Sequence, residues 1–244
     1  MADGHDRPRA DGATGLEATG PNSPGKAKMS VSTEVRAEAG EPPDPQILLL
    51  LHAITSLNEQ HRPFVLQVIA ALQGEGTSRV ASALADAAAR EIGLPVLLLD
   101  CSAPAASPAA EMVKSPSLID AFRDSASSEA ALRSLGPNLL LARLSNAASG
   151  VLGMSPQDLQ LMFDALRKRF AMVVLDCPAA LSNPGAVGLA RSCDGTALVV
   201  RAETTPRAAV MQARTLIDRL GGQVIGVVLN RHRSHLPSWL RRWL

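Results

Sequence analysis

The residues best suited to chemistry lie in one short run, Ala71-Leu72-Gln73-Gly74-Glu75-Gly76-Thr77-Ser78, which follows directly on the apolar stretch Phe64 to Ala70. Glycines let a backbone curl until several N–H groups converge on one anion, and a helix that opens next adds partial positive charge. In the strict phosphate-binding pattern G-x-x-x-x-G-K-[ST], lysine bridges the terminal phosphates and the hydroxyl holds magnesium. Here the first glycine is Ala71 and the lysine is Thr77, whereas Gly74, Gly76 and Ser78 remain. Asp100 and Asp176 each close a Val/Leu-rich run, and Asn230 closes another. A carboxylate at such a position orders a metal and its water, or caps a turn; the glycine loop favours the metal. For Asn230, contact with a nucleotide base and a turn role weigh equally.

These residues need strands to carry them. Six short apolar runs read as strands: Phe64 to Ala70, Pro95 to Asp100, Asn138 to Ala142, Ala171 to Asp176, Gly195 to Ala202 and Gln223 to Asn230. Most are apolar on both faces, as in a parallel sheet covered on both sides. Amphipathic stretches between them, Arg79 to Ile92, Ser155 to Arg169 and Pro206 to Leu220, supply the crossovers. Ser155 and Thr205 are expected N-caps, each followed by proline at the first helical position. A further helix is expected over Ile47 to Asn58. The fold class is α/β: three layers around a mainly parallel sheet. Ligands of such sheets sit beyond the carboxyl ends of the strands, where the glycine loop, the two aspartates and Asn230 would converge.

In order along the chain, five segments resemble the bacterial tyrosine kinases of polysaccharide export. Val68 to Ala81 is similar to their P-loop, and Pro95-Val96-Leu97-Leu98-Leu99-Asp100 to a second Walker motif that ends D-x-D. Val173-Val174-Leu175-Asp176-Cys177-Pro178 is similar to their Walker B text, Cys193 to Ala202 to a D-G strand, and Val224 to Asn230 to a G-V-V-L-N strand. The resemblance spans roughly residues 60 to 231. It implies a P-loop NTPase fold shared with the partition and division-placement ATPases, and work in capsule or exopolysaccharide production beside a membrane polysaccharide copolymerase. It also implies Mg-ATP or Mg-ADP binding. Gly74, Glu75, Gly76, Thr77, Ser78 and Arg79 would form the phosphate loop, and Ser78, Asp100 and Asp176 would hold magnesium. The same aspartates would serve any catalysis, with Asn230 near the base.

The chain departs from that pattern at four places. Thr77 replaces the lysine; losing a charge-assisted bond to phosphate weakens binding by about 1.5–3 kcal/mol, roughly ten- to a hundredfold. Ser102 replaces the second carboxylate of D-x-D. No tyrosine occurs among the 244 residues, which excludes tyrosine autophosphorylation on this chain. Ile47 to Asn58 contains no arginine, whereas the family's oligomerisation helix carries one, which counts against ring assembly by that route and leaves a homo-oligomer among the expected partners. Arg79 and Lys114 are the remaining candidates to replace the lost cation, and an ordinary surface role is preferred for both. The expected function is that of a kinase-like regulator with residual ATP binding. The alternatives are an active partition-type ATPase switch and a kinase acting on tyrosines of another protein.

Composition bounds the rest. Residues 1–45 hold eight acids, five bases, six Gly and six Pro with no aromatic residue, and read as a disordered tail. The domain then runs over 46–231. The charges of residues 46–230 cancel, a poor footprint for nucleic acid. Residues 232–244 read as a basic amphipathic segment: Leu236, Trp239, Leu240, Trp243 and Leu244 form an apolar stripe at helical spacing. That stripe would dock on the inner membrane surface or a partner, or fold back on its own domain. No run is long enough to span a membrane and no signal-peptide core is present, so the expected location is cytoplasmic, peripheral to the plasma membrane. Cys101, Cys177 and Cys193 show no metal or disulfide spacing and read as reduced thiols, with Cys101 and Cys177 as packing residues.

Overall fold

Every apolar run read as a strand enters one seven-stranded sheet. A computed structural model describes residues 43–57, 63–102, 116–124, 128–146 and 154–230. The strands are β1 (Phe64–Ala70), β2 (Val96–Asp100), β3 (Leu132–Gly136), β4 (Leu139–Arg143), β5 (Met172–Asp176), β6 (Gly195–Arg201) and β7 (Val224–Asn230). Their spatial order is β3-β4-β2-β5-β1-β6-β7. All neighbours are parallel except β3 and β4, joined as a hairpin through Asn138, which adopts a positive φ of 57°. Asn tolerates that conformation better than most residues.

Alternation along the strands sends side chains into two cores. On one face Leu66, Val68, Val96, Leu98, Met172 and Val174 pack under α1 (Pro45–Ser56) and α2 (Thr77–Ile92). On the other face Val65, Ile69, Leu97, Leu99, Val173 and Leu175 meet α3 (Leu118–Arg123), α4 (Pro156–Arg167), α5 (Pro184–Gly188) and α6 (Arg207–Arg219). Helix α2 buries Val80, Ala81, Leu84, Ala85 and Ala88, a stripe at helical spacing whose alanines let the helix approach the sheet closely. Full burial of Leu84 there contributes about 1.5–3 kcal/mol. The chain leaves β1 for the α1/α2 face and leaves β5 for the opposite face. A crevice therefore opens at the carboxyl ends of these adjacent strands.

Local signals explain most boundaries. Ser155 caps α4 by accepting from the N–H of Asp158, with Pro156 opening the helix as expected. Helix α1 starts at Pro45, two residues before the expected helix, because Asp44 caps it by accepting from Gln46 N–H at 2.8 Å. Thr205 does not cap α6. Its hydroxyl is drawn instead to the buried carboxylate of Glu75, and α6 begins at Arg207 without a side-chain cap. Helix α3 and strand β3 were not expected; α3 is short but carries a reciprocal capping box between Ser117 and Asp120.

The Asp194-Gly195 pair, part of the fifth-strand resemblance, lies at the amino edge of the sheet, away from the crevice. Asp194 accepts from Val65 N–H at 2.7 Å and from Arg167 at 3.2 Å, tying the start of β1 to α4. The expected tail over 1–45, apart from its last three residues, and the segment 232–244 lie outside the described residues, as does Lys114.

Candidate nucleotide site

The loop between β1 and α2 takes its shape from two glycines and one glutamate. Gly74 and Gly76 have φ of 79° and 91°, the left-handed region that glycine enters without a Cβ penalty. Glu75 between them is 3% exposed. Its carboxylate accepts from Leu72 N–H at 2.9 Å, from the Thr205 hydroxyl, and at 3.5 Å from Arg201 N–H. Glu75 therefore holds the loop to the end of β6 rather than facing a ligand. Asn230, at the end of β7, donates from Nδ2 to the Glu75 carbonyl at 2.7 Å, so its amide is a buttress of the loop.

Helix α2 opens immediately after Gly76, which gives no side-chain cap. The first N–H groups of this helix thus stand without a capping side chain at the mouth of the loop, and a Cβ built on Gly74 meets nothing within 4 Å. Arg79 is exposed and lines a groove with Asp44, Gln46, Ile47 and Asn230 between α1, α2 and β7. That position corresponds to the ordinary helix-surface reading. Thr77 is half-buried at the first position of α2.

The two aspartates meet beside the loop. Asp100 and Asp176 are paired in register on β2 and β5, so their Cα atoms lie about 5 Å apart, and both are 2% exposed. Alternation places both side chains on the α2 face with Leu98 and Val174. The Ser78 hydroxyl hydrogen-bonds the Asp176 carboxylate, so three groups expected around magnesium are brought together. The strand ends are fixed by backbone bonds, Cys101 N–H to Asp176 O at 2.9 Å and Cys177 N–H to Val68 O at 3.0 Å. Ser102, in place of a second carboxylate, donates its N–H to Asp100 Oδ1 at 2.9 Å. Among the described residues no three His, Cys, Asp or Glu side chains gather into a metal cluster. Magnesium bound through one or two carboxylates, a hydroxyl and phosphate oxygens suits this donor set.

Burial pushes the Asp176 carboxyl up to about 6; the Ser78 hydrogen bond pulls it down and the Asp100 charge adds to the rise. A carboxyl raised above its ordinary range stabilises the fold while protonated, and that contribution is lost as pH rises through about 6. Magnesium requires the opposite state. Melting temperature in EDTA should fall on raising pH from about 5 to 7, while the increment given by Mg-nucleotide should grow over the same window. Asp176→Asn should remove both trends. Invariant increments across that window would exclude Asp176 as a metal ligand.

Burial also pushes the Cys101 and Cys193 thiols well above their usual value, with Cys177 adding to the rise at both. A thiol held protonated is a poor nucleophile, in keeping with the packing role read from the sequence for Cys101. One residue the sequence did not single out completes the edge. Arg143 ends β4, in register with Asp100, and is 1% exposed. The expected strand stopped one residue short of it at Ala142, so no signal pointed to it.

No family model matches the chain. A tyrosine-protein kinase, CpsD, of Streptococcus agalactiae is 25% identical over 181 residues, covering 72% of this chain and 78% of its relative. The kinase domain of the Escherichia coli tyrosine kinase ETK superposes with a TM-score of 0.66 at 14% identity, covering 78% of each chain. The septum site-determining protein MinD of Pyrococcus horikoshii, solved with Mg-ADP, superposes with a TM-score of 0.53 at 21% identity, covering 73% of this chain and 76% of its own. With the five motifs in order and the glycine loop, aspartates and Ser78 at one crevice, the chain is similar in sequence to a bacterial tyrosine kinase and has the fold of the P-loop ATPases.

Proposed function

We propose that this protein is a kinase-like regulator of capsule or exopolysaccharide production that binds Mg-nucleotide weakly and acts through contact with a membrane polysaccharide copolymerase. The observation that carries this reading is the split state of the site. Its metal side keeps three of the expected groups, Ser78, Asp100 and Asp176, together on the α2 face, although Ser102 stands where a further carboxylate is expected. Its phosphate side has lost the lysine, because Thr77 opens the helix.

Phosphoryl transfer depends on positioning and on stabilising charge at the transferred group, so a missing cation depresses turnover more than it depresses binding. Bound magnesium would neutralise phosphate oxygens. Around it the chain's own groups would act as follows: Gly74 and Gly76 shape the loop, the first amides of α2 face the phosphates, Ser78 and the two aspartates orient the ion. Glu75 and Asn230 keep the loop in that shape. With no tyrosine on the chain, any nucleotide-driven cycle must be read out by conformation or on another protein.

Among the described residues no helix is long and apolar enough to cross a membrane; membrane proximity would come through the copolymerase, with the 232–244 segment a further candidate for contact. The test is calorimetric titration of the full chain with Mg-ADP and Mg-ATP. Saturable binding that Asp176→Ala abolishes is the expected result. Absence of heat at about millimolar nucleotide would overturn the nucleotide half of the reading. Failure to co-purify with the copolymerase from membranes would overturn the partner half.

A further inference from the structure

A buried guanidinium with no partner sits at the edge of this site. Among the described residues, all three side-chain nitrogens of Arg143 are enclosed and without a hydrogen-bond partner, although the residue is only 1% exposed. Burying an unpaired charge is costly, so a native arginine in this state is matched to something the described residues do not supply.

Its position says what that is. Leu139 and Leu141 of the same strand pack into the core beneath α1 and α2, so alternation puts the Arg143 side chain on the α2 face. Asp100 is its register partner on β2, and Asp176 is the register partner of Asp100 on β5. Across three adjacent strands the carboxyl edge thus reads Asp176, Asp100, Arg143. The loop and Ser78 lie at the Asp176 end of that row; Arg143 lies at the other, about 10 Å away at the usual strand spacing. A polyphosphate whose inner phosphates sat on the amides of α2 and whose metal sat on the aspartates would extend its last phosphate toward β4.

We propose that Arg143 is the cation for the terminal phosphate of a bound nucleoside triphosphate, supplying from β4 the charge that Thr77 does not supply from α2. This rests on the nucleotide-binding reading above and deepens it. A planar, permanently charged guanidinium suits bidentate contact with phosphate oxygens. Because it meets only the last phosphate, it separates triphosphate from diphosphate, the property a regulatory switch needs.

The experiment compares the full-length protein with Arg143→Met and Arg143→Lys, measuring melting temperature without nucleotide and affinity for Mg-ATP and Mg-ADP. Arg143→Met should raise the nucleotide-free melting temperature, because it removes an unpaired buried charge from a site of similar volume. It should weaken Mg-ATP binding by at least about tenfold while leaving Mg-ADP within about twofold. Arg143→Lys should retain part of the ATP preference. If the parent protein binds both nucleotides and Arg143→Met binds them equally well, the assignment falls and the nucleotide site stands. If Arg143→Met lowers the nucleotide-free melting temperature, Arg143 is paired with a carboxylate of the chain and the assignment falls. If the parent protein binds neither nucleotide, the site reading falls and takes the assignment with it.

Discussion

Thr77→Lys should raise affinity for Mg-nucleotide about ten- to a hundredfold, the largest gain expected from any single substitution in this chain. Thr77 is the first residue of α2, two residues before exposed Arg79 and directly after the left-handed Gly76. A lysine there would leave the helix where its ammonium can fold back over the loop. A charge-assisted bond to phosphate contributes about 1.5–3 kcal/mol, and the donor amides of α2 are already in place to receive the same anion. The substitution carries an opposing term without ligand. A cation in the first helical turn faces the positive end of the helix dipole, at a cost of about 0.3–1 kcal/mol. Thr77→Lys should therefore melt slightly earlier than the parent without nucleotide and clearly later with it. Thermal melts with and without Mg-ADP would show this crossing. A variant that bound no more tightly would mean the loop does not present its amides to phosphate.

Much of the architecture was legible because it depends on patterns that the sequence carries locally. Most of the six strand runs are apolar on both faces, as a covered parallel sheet requires, and all six lie in the sheet. The crevice was legible for the same reason, since residues that end parallel strands share one edge. What escaped has a common physical cause: it depends on contacts between residues far apart in the chain. Glu75 reads as a loop residue facing ligand, yet its carboxylate is held by Thr205, 130 residues away. Thr205 in turn reads as a helix cap and is diverted by that glutamate. Asn230 is tied to Glu75 across 155 residues, and Arg143 meets Asp100 only through strand register. Propensity and periodicity describe neighbours in sequence, and none of these pairs is one. Strand β3 was missed for a related reason: its Arg133 and Ser134 are exposed and its stability comes from pairing with β4, not from an apolar pattern.

Those long-range contacts make Gly76 the position where a small change should do most harm. With φ at 91°, any other residue there pays for a left-handed backbone, about 1–2 kcal/mol. Sterics add to this. A Cβ on Gly76 would lie 2.2 Å from Nδ2 of Asn230, the atom that donates to the Glu75 carbonyl. Gly76→Ala must therefore displace the Asn230 amide and lose its bond, a further loss of about 0.5–1.5 kcal/mol, and it detaches β7 from the loop. A total near 2–3 kcal/mol would lower the melting temperature by about 4–10 °C in a domain of this size. Nucleotide binding should disappear with it, because the displaced loop carries the start of α2. Gly74→Ala is the internal control. Its φ of 79° imposes a similar backbone cost, but its Cβ would meet nothing within 4 Å, so it should lose the strain term alone. Asn230→Ala placed in the Gly76→Ala background should recover part of the loss, since the clash is relieved after the bond is already gone. That recovery, read as a coupling in a double-mutant cycle, measures the contact between β7 and the loop directly. Equal losses for Gly74→Ala and Gly76→Ala, with no coupling to Asn230, would mean that the loop is held by its own backbone and that Asn230 serves some other purpose.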